Sequence, residues 1–120
     1  EDWMSKPVKT CKKEALLRDV INTMDEDNIG VVVVAEGHNV IGVITERDII
    51  RRVVSKDLNI DKIKVEEVMT KHPVTIHHDG SILEATRLMS ENNFRRLIVT
   101  NKGKLVGLIT AKDVIEVLSA

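Results

Sequence analysis

Tyrosine is absent from this chain of 120 residues, and phenylalanine, tryptophan and cysteine occur once each. Without aromatic side chains there is no platform on which single-stranded bases could stack. A net charge of −1, with no basic run, also removes the electrostatic footprint that a nucleic-acid partner requires, so nucleic acid is not expected as a partner. The lone Cys11 builds neither a disulfide framework nor a thiolate zinc site within one chain, which fits a reducing, cytoplasmic setting. No apolar run approaches the length that spans a bilayer, so no membrane association is expected, and nothing near the N-terminus has the order of a signal peptide. The chain opens on Glu1 rather than Met, as a piece of a longer protein would, with a catalytic or effector domain elsewhere. Catalytic signatures are missing as well: no Ser-His-Asp order with a supporting motif, no Gly-rich phosphate loop, no cysteine beside an activating partner. Enzymatic activity is not expected of it.

What the chain does contain is itself, twice. Laying residue i on residue i+65 needs no gap from Met4 to the end. Met24 falls on Met89, Asn28 on Asn93, Val34 on Val99, and Gly42, Ile44, Thr45, Asp48 and Ile50 on Gly107, Ile109, Thr110, Asp113 and Ile115. Within each copy the hydrophobic period changes in the same order. A short strand at Val8 to Cys11, or Pro73 to Ile76, precedes a helix whose apolar face is Leu17, Val20, Ile21 and Met24, or Ile82, Ala85, Thr86 and Met89. The unalternating β-rich runs Val31 to Ala35 and Leu97 to Thr100 read as strands covered on both faces, each turning back into Val40 to Ile44 or Leu105 to Ile109. A closing helix follows. The chain is therefore expected to be α+β: two β-α-β-β-α repeats packed with pseudo-two-fold symmetry, spanning residues 1–57 and 67–120, with a connection at 58–66 and a short helix near Val65 to Val68.

The motif Gly-x-Ile-Thr-x-x-Asp, at Gly42 to Asp48 and again at Gly107 to Asp113, joins the last strand of each copy to its closing helix. Thr45 and Thr110 stand where a helix cap is wanted, and Asp48 and Asp113 fall on the third helical position. A helix N-terminus presents unpaired N–H groups and the positive pole of its dipole, so it can hold a phosphate, and an aspartate one turn in can accept hydrogen bonds from ribose hydroxyls. That is the chemistry of a nucleotide site. The same spacing is also a plain capping box that needs no ligand. Arg47 and Lys112, beside the aspartates, suit phosphates or simple exposure. Ser81 and Glu84 form a further capping box at the second copy's first helix.

With both motifs in register inside two such units, the whole chain resembles the tandem cystathionine-β-synthase (CBS) domain pair, or Bateman module. The second copy follows the family pattern from Val68-Met69-Thr70-Lys71-His72-Pro73-Val74-Thr75-Ile76, through Asn92-Asn93-Phe94-Arg95-Arg96-Leu97, to Asp113. The first copy follows it through Gly42 to Asp48 and more loosely before. The resemblance implies a regulatory module that binds AMP, ADP, ATP or S-adenosylmethionine in the clefts between repeats, and that associates further into a homodimer. By that resemblance Asp48 and Asp113 hold ribose hydroxyls, Thr45 and Thr110 sit by ribose or phosphate, Thr10, Cys11, Thr75 and Ile76 flank the adenine, and Arg95 and Arg96 reach phosphates. Where the second copy has Arg95-Arg96 the first has Gly30-Val31, so one good site and one weaker or empty one are expected. The alternative is a ligand-independent dimerisation or docking module, in which both motifs only cap helices. No metal is expected: His72, His77 and His78 read as exposed turn residues, with Asp79 a conceivable further ligand but no cysteine nearby.

Overall fold

The computed structural model describes residues 8–119. They form two compact units, one running from Lys9 to Pro73 and the other from Val74 onward. In the first, β1 (Thr10–Cys11), α1 (Leu17–Asp27), β2 (Val31–Glu36), β3 (Asn39–Thr45) and α2 (Glu46–Ile49) follow the expected order. α2 then runs into a widened π turn, Ile50–Val54, and the unit ends with a 3-10 turn, Val65–Glu67, and the short β4 (Thr70–Lys71). The second unit repeats the plan with β5 (Thr75–His77), α3 (Ile82–Asn92), β6 (Arg96–Asn101), β7 (Lys104–Thr110) and α4 (Ala111–Ser119).

The pairing is the same in each. β1 lies parallel to β2 and β5 parallel to β6, while β2–β3 and β6–β7 are antiparallel hairpins. Both hairpins slip register at equivalent places, Val34/Ala35 and Val99/Thr100, so even the bulge is duplicated. Lys102 and Gly103 both take positive φ in the second hairpin turn, the combination that matches the twist of the flanking strands. The repeated asparagines also have a structural account. Asn28 and Asn93 end α1 and α3 in the left-handed conformation, and the next residues, Ile29 and Phe94, donate their N–H groups back to Met24 and Met89 at 3.0 and 2.9 Å. Asparagine tolerates that conformation better than most residues with a side chain.

Burial follows the periods. Leu17, Val20, Met24, Val32, Val34, Ile44, Val53, Val65 and Val68 form the core cluster of the first unit, and Ile76, Ala85, Met89, Leu97, Val99, Ile109 and Val114 that of the second. Two local expectations, Thr86 and the first closing helix, need correcting. Thr86 is not on the apolar face: it is exposed, its hydroxyl donating to the Ile82 carbonyl at 2.8 Å, and Leu88 packs on the core instead. Thr70 and Lys71, for which the sequence predicts no strand, pair antiparallel with β3. The short helix expected before them is present as a single 3-10 turn, Val65–Glu67. The first copy's closing helix leaves the α geometry at Ile50, with the Ser55 N–H reaching back five residues to the Ile50 carbonyl, whereas α4 stays α-helical to Ser119. Among the described residues no helix is long and apolar enough to cross a membrane.

Candidate functional site

Each closing helix begins in the same way. The Thr110 N–H donates to Asp113 Oδ2 at 2.9 Å, and the Asp113 N–H donates to Thr110 Oγ1 at 3.1 Å. In the first unit the Thr45 N–H donates to Asp48 Oδ2 at 3.0 Å and the Asp48 N–H to Thr45 Oγ1 at 3.1 Å. The residue that precedes each β-hairpin completes the entrance: the carbonyl of Gly30 accepts the Glu46 N–H at 3.1 Å, and that of Arg95 accepts the Ala111 N–H at 2.7 Å. Both capping boxes are thus fully formed. Each cap takes one of about four acceptor positions that an ionised carboxylate offers.

Strand register decides what lies beside each entrance. Successive side chains of a strand point to opposite faces. Leu97, Val99, Ile109 and Ile76 belong to the core cluster, so the intervening residues of β5, β6 and β7 are on the other face. There Arg96 stands opposite Thr110, Ile98 opposite Leu108, and Thr75 is the parallel partner of Ile98. Thr75, Arg96 and Thr110 therefore share one sheet face, with Asp113 at its end. In the first unit the same face carries Thr10, Val33, Val31 and Thr45, since Thr10 pairs with Val33 and Val31 with Thr45.

The same alternation separates the adenine-flanking candidates. Ile76 is 1% exposed inside the core, and Cys11 packs against the first unit's core, where desolvation pushes its thiol up to about 11. Neither side chain is on the face with the threonines. Arg47, Lys112 and Arg95 are exposed, and Arg96 is half-buried.

One residue at the first entrance was not singled out from the sequence. Arg52 donates to the Val68 carbonyl at 3.0 Å and brings a second guanidinium nitrogen to 3.8 Å from Asp48 Oδ1. A signal existed: position 52 lies one helical turn past Asp48, and 65 residues on it meets Val117, a charge replaced by an aliphatic. The first entrance thus takes its cation from the helix, and the second has Arg96 on the strand. Two shallow hollows lie in the first unit. One of about 370 Å³ is bordered by Ile21, Met24, Ile49 and Ile50 with Asp25 and Glu46, the other of about 270 Å³ by Arg52, Lys56, Leu58 and Met69. Neither is lined by Thr45 or Asp48. Chemistry, not cavity shape, singles out the entrances.

Comparison with known proteins adds the following. The family model for the CBS domain matches residues 1–55 and 65–120. An uncharacterised protein of Methanopyrus kandleri is 39% identical over 101 residues, covering 82% of this chain and 52% of its own length. The chain spans between 37% and 62% of that relative and two further uncharacterised archaeal ones. Among solved structures, a conserved protein of Pyrococcus horikoshii superposes with a TM-score of 0.88 at 31% identity, over 99% of this chain and 90% of that one. A CBS domain protein of Pyrobaculum aerophilum, complexed with AMP, superposes at 0.85 and 24% identity, over 99% and 97%.

Proposed function

The chain belongs to the CBS domain family, and from that membership we propose that it senses an adenosine nucleotide at its two Gly-x-Ile-Thr-x-x-Asp entrances. A pair of CBS domains is a regulatory module. The observation that carries the finer reading is the doubled Thr–Asp pair with a threonine and a cation on the same sheet face: Thr75, Arg96, Thr110 and Asp113 in the second unit. Asp113 accepts the ribose hydroxyls alongside its capping bond. The first-turn N–H groups of α4, with Thr110, Lys112, Arg95 and Arg96, take the phosphate, as the N-terminus of a helix favours an anion. Thr75 borders the base, and Ile76 contributes backbone alone.

The first entrance repeats these roles with Thr45, Asp48, Arg47 and Thr10. There Arg52 already lies near the carboxylate and Val31 replaces Arg96, so the second entrance is the stronger phosphate site. Ligand binding acts by favouring one arrangement of the module over another, in proportion to its differential affinity for the two, and the shift passes to a partner domain or protein. The module also associates with a second copy through apolar side chains that its closing helices leave in solvent: Ile50 and Val54 at 61% and 66% exposure, and Ile115 and Leu118 at 62% and 69%.

Calorimetric titration with AMP, ATP and S-adenosylmethionine tests the reading. The AMP held by the Pyrobaculum protein makes AMP the first probe. Binding of at least one is expected, and heat from none of the three would leave a docking module whose boxes only cap helices.

A further inference from the structure

Two adjacent histidines on a strand should diverge, because neighbouring side chains point to opposite faces. His77 and His78 do not: their ring centroids are 4.5 Å apart. β5 stops at His77, and the chain then folds into a turn braced on both sides. The His78 N–H donates to the Thr100 carbonyl at 2.9 Å and the Gly80 N–H to the His77 carbonyl at 2.8 Å. This turn swings His78 back toward His77 and sets Asp79 against both. Asp79 Oδ1 lies 3.3 Å from His78 Nδ1, and Asp79 Oδ2 lies 3.8 Å from His77 Nδ1. One ligand atom from each of the three side chains falls within 4.8 Å of the others.

We propose that His77, His78 and Asp79 form a binding site for one late first-row divalent cation, of the zinc, nickel and copper class. The distances carry the argument. An ion bound at about 2.0–2.2 Å by nitrogen and oxygen ligands sets neighbouring donor atoms about 3.0–3.5 Å apart. The His78–Asp79 pair is at that separation, and the wider pairs close by side-chain rotation, which the solvent exposure of His77 and Asp79 allows. The Asp79 N–H donates to His77 Nδ1 at 3.2 Å, so His77 ligates through Nδ1 by giving up that bond, or through Nε2 after turning its ring. Two imidazoles and a carboxylate are borderline donors that prefer zinc, nickel or copper to magnesium or calcium, and water fills the remaining positions. The ion would anchor the C-terminal end of the strand that carries Thr75. The proposal stands independently of the nucleotide reading.

Equilibrium dialysis of the untagged protein against Ni²⁺, Zn²⁺ and Mg²⁺ tests it. One equivalent of Ni²⁺ and of Zn²⁺ is expected, with Mg²⁺ not retained. His77→Ala and His78→Ala should each weaken retention at least about tenfold, since changes even in a ligand's own supporting shell cost 10–100-fold. Asp79→Asn should weaken it less, and His38→Ala, His72→Ala and Cys11→Ala should leave it unchanged. His77 is exposed, so His77→Ala will fold, and its melting curve without metal should match the parent's. Absence of retained Ni²⁺ and Zn²⁺, equal retention of Mg²⁺, or a loss that follows His38, His72 or Cys11 would overturn the site.

Discussion

Replacing Asp113 by alanine separates capping from sensing, because the two roles fail in different measurements. The substitution deletes the Thr110 N–H···Oδ2 bond of 2.9 Å and leaves the bond from the residue-113 N–H to Thr110 Oγ1. Half a capping box and one first-turn negative charge are worth about 1–2 kcal/mol together. With an unfolding entropy of about 2.1 cal/mol/K per residue, a chain of this length loses about 4 °C of Tm per kcal/mol, so the ligand-free variant should melt about 4–8 °C below the parent. A nucleotide at about one hundred times its Kd stabilises the parent by about 2.7 kcal/mol, or roughly 10 °C on the same scale. Losing charge-assisted bonds to the ribose, at about 1.5–3 kcal/mol each, raises Kd by about a hundredfold. At that unchanged concentration the increment then falls to about 0.4 kcal/mol, under about 2 °C. Ser81→Ala is the control: Ser81 Oγ accepts the Glu84 N–H at 3.0 Å, so its loss lowers Tm by a similar cap term and leaves the nucleotide increment intact. An Asp113→Ala increment equal to the parent's would refute the ribose role, whatever happens to the ligand-free Tm.

Ile76→Ala empties a side chain that is 1% exposed and should cost about 2–5 kcal/mol in urea unfolding, while Thr75→Val, one residue away on the other face, should change stability little and nucleotide affinity measurably. Ile50→Glu with Val54→Glu should convert a dimer to a monomer in sedimentation and abolish the dependence of Tm on protein concentration, while the monomer still folds because both side chains are exposed within one chain; an unchanged mass would place the association elsewhere. The Cys11 thiol, raised to about 11 by desolvation, should react with Ellman's reagent far more slowly than a free cysteine near neutral pH. Its rate should climb as pH rises toward that value. Because the folded pKa is the higher one, this group's contribution to stability is present below about pH 9 and lost as pH rises through the folded value.

Most of the fold was legible in the sequence because the duplication supplied a second reading of every element. The Thr-x-x-Asp spacing located both helix starts to the residue, since a capping box is local chemistry that neighbours seldom override, whereas the Asn28/Asn93 match was visible only as part of the repeat and its place at two helix ends came from the structure. The departures arose where tertiary context decided. Thr86 sits at a core spacing yet satisfies its hydroxyl on its own helix. Thr70 and Lys71 gain strand geometry only because β3 offers them a partner. Nothing periodic marks the π turn after Ile49.

The candidate site was half legible, and the missing half was present as period two. Thr10 and Cys11, like Thr75 and Ile76, are sequence neighbours, and neighbours on a strand cannot both face one ligand. The hydrophobic member of each pair is the one that meets the core, so each threonine alone is left on the face that ends in its own Thr-x-x-Asp box. The same alternation places Arg96, but not Leu97, opposite Thr110, which turns the Arg95-Arg96 against Gly30-Val31 difference from a contrast of composition into one of geometry. The second entrance has a strand cation on the sheet face it shares with Thr75 and Thr110. The first has an aliphatic there and, from the helix, Arg52 already within 3.8 Å of its aspartate. Under the nucleotide reading proposed above, a ribose at Asp48 would share that carboxylate with Arg52, and the position matching Arg52 in the second unit is Val117. Two entrances with the same capping bonds thus differ in where positive charge stands, on the strand in the second and on the helix in the first, and under the proposed function a duplicated sequence would supply two unequal sites.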